Sequence, residues 1–231
     1  MNGLFPHVHD ATIRTLAVNR YAVREVSGQV CCGALHAHAG LRDAARALAR
    51  QNVAAFGPGS DPIVVNSAGC GAQLKSYAHV LDGAPAAKQF AARVRDVTEL
   101  LAERGPAAGA PLELRVAYDA PCHLLHAQRI AEPPLAVLRA VRAADMRPTP
   151  DSTQCCGSAG LYSTLEPELS RAVLAPKVER ILADPPDVLA TGNPGCVMQL
   201  GAGLRAAGAK IPVGHPVELL DLSYHAAGLY A

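Results

Sequence analysis

The chain has 231 residues, of which 50% are hydrophobic, so it can bury the core of one large or two small domains without disulfide bonds. Its 21 Lys and Arg balance 20 Asp and Glu, and it has no Trp and only three Phe, which argues against nucleic acid and anionic membrane surfaces as ligands. It has neither a basic leader nor a run of about 18 apolar residues, so the sequence predicts a soluble cytoplasmic protein without a membrane span.

The first half of the chain alternates predicted helices and strands. In chain order they are helix 8–18, strand 20–26, helix 41–55, strand 62–66, helix 71–81 and helix 87–104. Short strands that alternate with helices of this length are typical of parallel α/β units. The Gly- and Pro-rich segment 105–111 has the composition of a connection between domains, so we predict a first domain over residues 1–104.

The second half, predicted as a domain over residues 112–231, repeats this alternation. Its predicted elements are strand 112–118, helix 134–143, an amphipathic helix over 165–182, a short apolar strand over 188–190 and helix 217–227. The sequence therefore predicts two small parallel sheets with flanking helices.

Seven cysteines are the unusual feature of the composition. Reducing cytosol discourages structural disulfides, so metal binding or redox chemistry explains them better. A single buried cysteine can also simply fill a gap in the core, and the spacing decides between these interpretations.

The cysteines recur in two copies of one pattern. The vicinal pairs Cys31-Cys32-Gly33 and Cys155-Cys156-Gly157 lie 124 residues apart. A Gly-Cys follows each pair, with Cys70 38 residues and Cys196 40 residues after the second cysteine of its pair. Such agreement indicates a duplication.

The copies differ at their beginnings. Cys122 precedes the second pair by 33 residues, and the same interval before Cys31 falls upstream of Met1. We therefore expect a first repeat that is incomplete at its N-terminus, without the strand and turn that carry this cysteine in the second.

Four thiolates of the second repeat could bind one metal centre: Cys122, Cys155, Cys156 and Cys196. Three of them, Cys122, Cys156 and Cys196, are beside Gly or Pro. The four are expected at strand ends, which are common ligand sites in open α/β sheets. Adjacent cysteines rarely bind one zinc ion, whereas an iron–sulfur cluster accepts them on different irons, so the cluster is favoured over zinc.

The first repeat offers three thiolates: Cys31, Cys32 and Cys70. Its fourth ligand would have to come from a histidine such as His36 or from a partner. His123 and His126 could bind metal or carry protons, although orientation of the loop by hydrogen bonds is the favoured interpretation. His38 has the same two interpretations.

Remaining charged or titratable candidates are predicted on the surface. These are His7, His9, Arg129, Arg139 and Arg142.

This arrangement of Cys, CCG and Gly-Cys resembles the CCG domain family. The glycolate dehydrogenase iron–sulfur subunit is the most similar branch, on Cys31-Cys32-Gly33-Ala34-Leu35-His36, Gly69-Cys70-Gly71, Cys155-Cys156-Gly157-Ser158 and His215-Pro216-Val217-Glu218. The resemblance, which extends to the B subunit of heterodisulfide reductase, implies an iron–sulfur cluster of the 4Fe–4S type on the seven cysteines, with zinc as the alternative in one site. It also implies an oxidoreductase subunit that passes electrons from a flavin-containing dehydrogenase subunit to an acceptor.

Two departures limit that resemblance. Ser67 and Asn193 stand where the heterodisulfide reductase branch has a further cysteine. The closely spaced Cys-x-x-Cys runs of the ferredoxin-like module in glycolate dehydrogenase subunits do not occur in this sequence, so such a module is expected as a further partner. No glycine-rich phosphate loop follows a strand, so we expect the flavin and the hydroxy-acid chemistry on another subunit. A heterodisulfide-reductase-like enzyme and a zinc-stabilised structural module are the alternatives.

Overall fold

The computed structural model describes residues 3–230. Its strands are β1 Ile63–Val65, β2 Val94–Asp96, β3 Leu112–Tyr118, β4 Ala143–Pro148, β5 Val188–Ala190 and β6 Val213–Gly214. Its helices are α1 Pro6–Val18, α2 Ala34–His38, α3 Arg42–Phe56, α4 Ala68–Lys75, α5 Tyr77–Val80, α6 Pro85–Arg93, α7 Val97–Arg104, α8 Glu132–Ala140, α9 Tyr162–Leu165, α10 Pro167–Ala183, α11 Pro194–Ala206 and α12 Pro216–Ala226, with a π-helical turn at His123–Ala127.

The strands form two parallel sheets, one in each half of the chain. The first contains β1 and β2, and the second has the order β4-β3-β5-β6. The predicted α/β class with parallel sheets is therefore confirmed. Among the described residues, no helix has the length and apolar character needed to cross a membrane.

The central strand β3 is covered on both faces, as parallel sheets usually are. Successive side chains of a strand point to opposite faces. Val116 and Tyr118 accordingly join the core formed with α8 and α12, whereas Ala117 joins the core formed with α10 and α11. The second sheet thus lies between two layers of helices, and the loops that follow its strands begin at its edge.

The two halves of the chain share a core. The cluster around Val116 and Tyr118 also contains Val8 and Leu16 of α1 and Leu101 of α7. A smaller core belongs to the first half alone, where Tyr77 stacks on Phe90 with ring centroids 5.2 Å apart. Segment 105–111 therefore connects two units that are packed together.

Residues 20–26 do not form the predicted strand. Most of segment 21–26 is exposed and faces β1 across a cleft, without backbone hydrogen bonds to a neighbouring strand. A strand requires a partner, and the apolar residues of this segment have none among residues 3–230.

Three predicted helices have different limits, because tertiary contacts override helical periodicity. The predicted helix 87–104 is interrupted by β2, which pairs with β1, and Asp96 then caps α7 by accepting from Thr98 N at 2.9 Å. The predicted helix 134–143 ends early, at Ala140, and Arg142 at φ 52° leads into β4. The predicted helix 71–81 is divided at Ser76 into α4 and α5.

Candidate functional site

The cysteines of the second half lie on three loops at one edge of the sheet. Cys122 follows β3, Cys155 and Cys156 follow β4, and Cys196 lies in the first turn of α11 after β5. Because the carboxyl ends of parallel strands meet at one edge, the topology brings together residues that are far apart in sequence.

These four thiols lie close together in a chain. Cys155 lies between Cys122 and Cys156, closely enough that each of them lowers its pKa. The Sγ atoms of Cys156 and Cys196 are 3.2 Å apart. Cys156 and Cys196 are buried, whereas Cys122 and Cys155 are half-buried at the mouth of the site.

The surroundings of Cys155 favour its thiolate form. The thiols of Cys122 and Cys156 donate to it, and the N–H of Gly157 donates at 3.3 Å, so the pKa of Cys155 is lowered. The same hydrogen bonds raise the pKa of Cys122 and Cys156, with burial acting in the same direction. A stabilised thiolate is the form that binds soft metals.

Gly157 is required by the backbone of the CCG loop. Its φ is +85°, and a Cβ at this position would lie 2.5 Å from the carbonyl oxygen of Ser170 in α10. Ser170 Oγ in turn donates to the carbonyl of Gly157 at 2.8 Å. The glycine therefore lets the cysteine loop lie directly against the helix.

A buried ion pair fixes the loops on which Cys122 and Cys155 lie. Asp119 and Lys177 are 1% and 2% exposed, and Lys177 Nζ contacts Asp119 Oδ1 and donates to the carbonyl of Asp151 at 2.6 Å. Thr149 Oγ1 also donates to Asp119 Oδ1, at 2.9 Å. Burial raises the pKa of Asp119, and Lys177 opposes this effect. The sequence pattern did not identify this pair, because Lys177 occurs in an ordinary amphipathic helix.

In the first half, Cys32 is buried, Cys70 is half-buried and Cys31 is exposed. The hydrogen bond from Cys32 lowers the pKa of Cys70 to about 6, and Ser67 acts in the same direction. The hydrogen bond raises the pKa of Cys32, as does burial.

Asn52 holds the loop of this pair. It accepts from Val30 N at 2.9 Å and donates to the carbonyl of Cys31 at 3.2 Å. The predicted fourth ligand, His36, has a buried Nδ1 atom without a hydrogen-bond partner among residues 3–230.

The cysteine loops of the two halves contact each other. Ala68 N donates to Gly192 O at 3.0 Å, and Gly69 N donates to Asn193 Oδ1 at 3.0 Å. Asn193 Nδ2 is 3.6 Å from Cys196 Sγ, so this one side chain contacts both cysteine loops. Sequence reasoning noted Asn193 only as a residue that replaces a cysteine.

The histidines near the cysteines have structural contacts. His38 and His123 stack across the contact between the halves with ring centroids 5.9 Å apart, and burial followed by repulsion from His38 lowers the pKa of His123. His126 Nε2 is 3.0 Å from Thr153 O, in agreement with orientation of the loop.

The other predicted surface residues lie at or near the surface. Exposed members are His7, Arg129, Arg139 and Arg142, and His9 is partly buried beside the cleft.

The donor set consists of thiols, the soft ligands that iron–sulfur clusters use. Among residues 3–230, no group of three or more His, Cys, Asp or Glu side chains is arranged to hold one metal ion. In an iron–sulfur cluster, neighbouring thiolates such as those of Cys155 and Cys156 can bind different irons. The N–H of Gly157 supplies the hydrogen bond to sulfur that such clusters use.

Comparison with known proteins agrees with the cysteine pattern. The family model described as CCG, cysteine-rich domain, matches residues 1–75 and 116–201, more than two thirds of the chain. The chain belongs to the CCG cysteine-rich domain family. The two matched segments of this CCG protein contain all seven cysteines.

Its curated relatives are named as oxidoreductase or substrate-utilisation proteins. It is 32% identical to the probable glycolate oxidase iron-sulfur subunit of Bacillus subtilis over 99% of this chain and 53% of that protein. It is 31% identical to the glycolate oxidase iron-sulfur subunit of Escherichia coli over 94% of this chain and 54% of that protein. Identity to lactate utilization protein A of Geobacillus thermodenitrificans is also 31%, over 94% of this chain and 93% of that protein. The chain thus spans about half the length of the two glycolate oxidase subunits.

Proposed function

We propose that this CCG protein is an iron–sulfur electron-transfer subunit of a dehydrogenase for a 2-hydroxy acid such as glycolate or lactate. The observation that carries the proposal is the convergence of four thiols at the carboxyl edge of the second sheet, where Cys156 and Cys196 are in contact. The printed names of the relatives support the substrate class. A flavin-containing dehydrogenase subunit is the proposed electron donor.

The proposed ligands of the main centre are Cys122, Cys155, Cys156 and Cys196. A bound 4Fe–4S cluster would supply one-electron oxidation and reduction at this edge. The chain's own residues bind it, and the buried side of the site, at Cys156 and Cys196, excludes water. Gly157 N–H and Asn193 Nδ2 direct hydrogen bonds at sulfur atoms, which raises the reduction potential by stabilising added negative charge.

A second centre on Cys31, Cys32 and Cys70 is proposed for the first half, where zinc is the alternative metal. We also propose that residues 1–104 and 112–231 are two CCG repeats, the first having no counterpart of β3 among residues 3–230. The glycines of the two CCG loops support this, since Gly33 has φ 82° and Gly157 has φ 85°.

A disulfide reductase receives less support. Such an enzyme of the heterodisulfide reductase branch would use a further thiolate three residues before Cys70 and Cys196. Here Ser67 and Asn193 occupy those positions and form hydrogen bonds to the cysteines instead.

The proposal is tested by anaerobic purification followed by iron, sulfide and zinc analysis and electron paramagnetic resonance. We expect about four irons with equal sulfide at the second-half site. Cys156→Ser should lose this iron, because the residue lies between two other proposed ligands. Gln154→Ala, an exposed change beside the same loop, is the matched control and should keep it. Stoichiometric zinc without iron would contradict the electron-transfer function.

A further inference from the structure

A cleft of about 430 Å³ lies in the first half, beside the small β1-β2 sheet. One wall is segment 21–26 and the other is formed by Pro62, Ile63 and Val64. Helix α1 contributes Thr12, Ile13 and Leu16 to its lining. The cleft therefore lies between two stretches of backbone.

Both of these backbone stretches are unpaired toward the cleft. β1 pairs with β2 along one edge, and within residues 3–230 no strand pairs with its other edge. Residues 22–26 make no backbone–backbone hydrogen bond in the described part of the chain. Unpaired N–H and C=O groups along an edge are a template for another strand.

The corresponding space in the second half is filled by β3. There α8 leads into β4 and then the Cys155 pair, just as α1 leads into segment 21–26 and then the Cys31 pair. β5 precedes the helix with Cys196, as β1 precedes the helix with Cys70. β3 lies between β4 and β5 and pairs in parallel with both.

The equivalence of segment 21–26 and β4 extends to backbone geometry. Arg20 follows α1 with φ 63°, and Arg142 follows α8 with φ 52°. Left-handed conformations are uncommon for arginine, so their recurrence at matching positions indicates the same turn. Segment 21–26 therefore occupies the place of β4, and the cleft occupies the place of β3.

We propose that the cleft is a strand-accepting site, and that its occupant is a parallel β-strand from the polypeptide that leads into α1. Parallel neighbours must be joined by a crossover, and α1 already lies against the cleft as the helix of such a β-α-β unit. In the second half β3 ends at Tyr118 and α8 begins at Glu132, so a connection of the same length suffices.

The occupant should carry a cysteine four residues beyond its last strand residue. Cys122 lies four residues after Tyr118, the last residue of β3, and is close to Cys155. Cys31, the first-half equivalent of Cys155, is exposed. The cysteine would thus complete the thiol set of the first half. This part rests on the proposed function, while the strand-accepting site does not.

The test is a graft in which a copy of residues 112–131 replaces residues 1–5 of the full chain. Hydrogen–deuterium exchange should slow roughly tenfold or more at 21–26 and 63–65, because new ladder hydrogen bonds protect these amides. A graft with Val116→Pro in the copied strand is the matched control and should give no protection, since proline interrupts a central strand. Absence of protection in the first graft, with exchange in β5 unchanged, would overturn the site.

A second measurement separates the strand from the metal. The graft should gain about four further irons, and the same graft with Cys122→Ser in the copy should keep the protection without that gain. Protection without any gain of iron would overturn the completed thiol set and leave the strand site standing. If the graft does not fold, a synthetic peptide of residues 112–123 added to the full chain must protect the same amides, or the site is wrong.

The source of the strand is tested on protein isolated from its own cells through a C-terminal tag. Intact mass and exchange are measured together on this material. A polypeptide that extends ahead of Met1 and is protected at 21–26 supports the proposal. Protection that depends on a separate bound chain would overturn the assignment to the same polypeptide.

Discussion

At the scale of single residues, Lys177 matters because its charge is buried with that of Asp119. Lys177→Met leaves this carboxylate without its cation, which we expect to destabilise the protein by about 3–5 kcal/mol. Arg180→Met is the control from the same helix, because half-exposed Arg180 pairs with Asp151 and should cost less than about 1 kcal/mol. Denaturant unfolding of both variants measures the difference, and equal losses would show that the buried pair does not hold the loops.

A second residue prediction concerns three glycines with positive φ. Gly208→Ala should cost about 1–2 kcal/mol from backbone strain alone, since nothing lies within 4 Å of an added Cβ. Gly157→Ala adds a clash at 2.5 Å with Ser170 O and should cost about 1–3 kcal/mol more. Gly33→Ala, with nearest atoms at 3.5 Å, should resemble Gly208→Ala. Unfolding free energies that rank the three differently would contradict this account.

At the scale of elements, the start of α12 depends on a buried histidine. His215 Nδ1 accepts from Val217 N at 3.1 Å, so the neutral ring carries its proton on Nε2, which has no partner among residues 3–230. Burial lowers the pKa of His215 to about 3. The unfolded state therefore takes up a proton below about pH 6.5 that the folded state does not, and stability falls as the pH falls.

This gives a pH-dependent prediction. Between pH 7 and 5, His215→Asn should remove about 2 kcal/mol of the stability loss, because asparagine can cap the helix without titrating. The control is His79→Asn, at an exposed position. Unfolding free energies at both pH values test it, and an unchanged pH slope in His215→Asn would contradict the buried neutral ring.

Elements differ in how well the sequence predicts them. The apolar run 188–190 and the amphipathic segment 165–182 have their own local signal, and both form the predicted element type. β2 and β4 do not, because Val94 and Ala143 adopt extended structure only when their partner strands are in place. The same holds for the site: spacing identifies the cysteines, whereas Asn193 and the Asp119–Lys177 pair depend on contacts across 58 residues or more.

At the scale of the whole molecule, the shared core couples the two halves. Residues 112–231 expressed alone would lose Val8, Leu16 and Leu101, which belong to the same core cluster as Leu220 and Val137 in the intact chain. We expect this fragment to lack a cooperative thermal transition, whereas the full chain unfolds in one. Calorimetry of both measures this, and independent folding of the fragment would show that the second-half sheet is self-sufficient.

The thiol chain has a consequence for turnover of the protein. Intervals of 33 and 40 residues separate Cys122 from Cys155 and Cys156 from Cys196, and the loops at these positions meet through sulfur. A metal centre there would close two long loops, and each closure is worth about 3–4 kcal/mol of chain entropy by analogy with disulfides. If exposure to air destroyed the centre, the loops would regain that conformational freedom. Proteases would then cleave the damaged molecule at its opened loops while the helices remain folded.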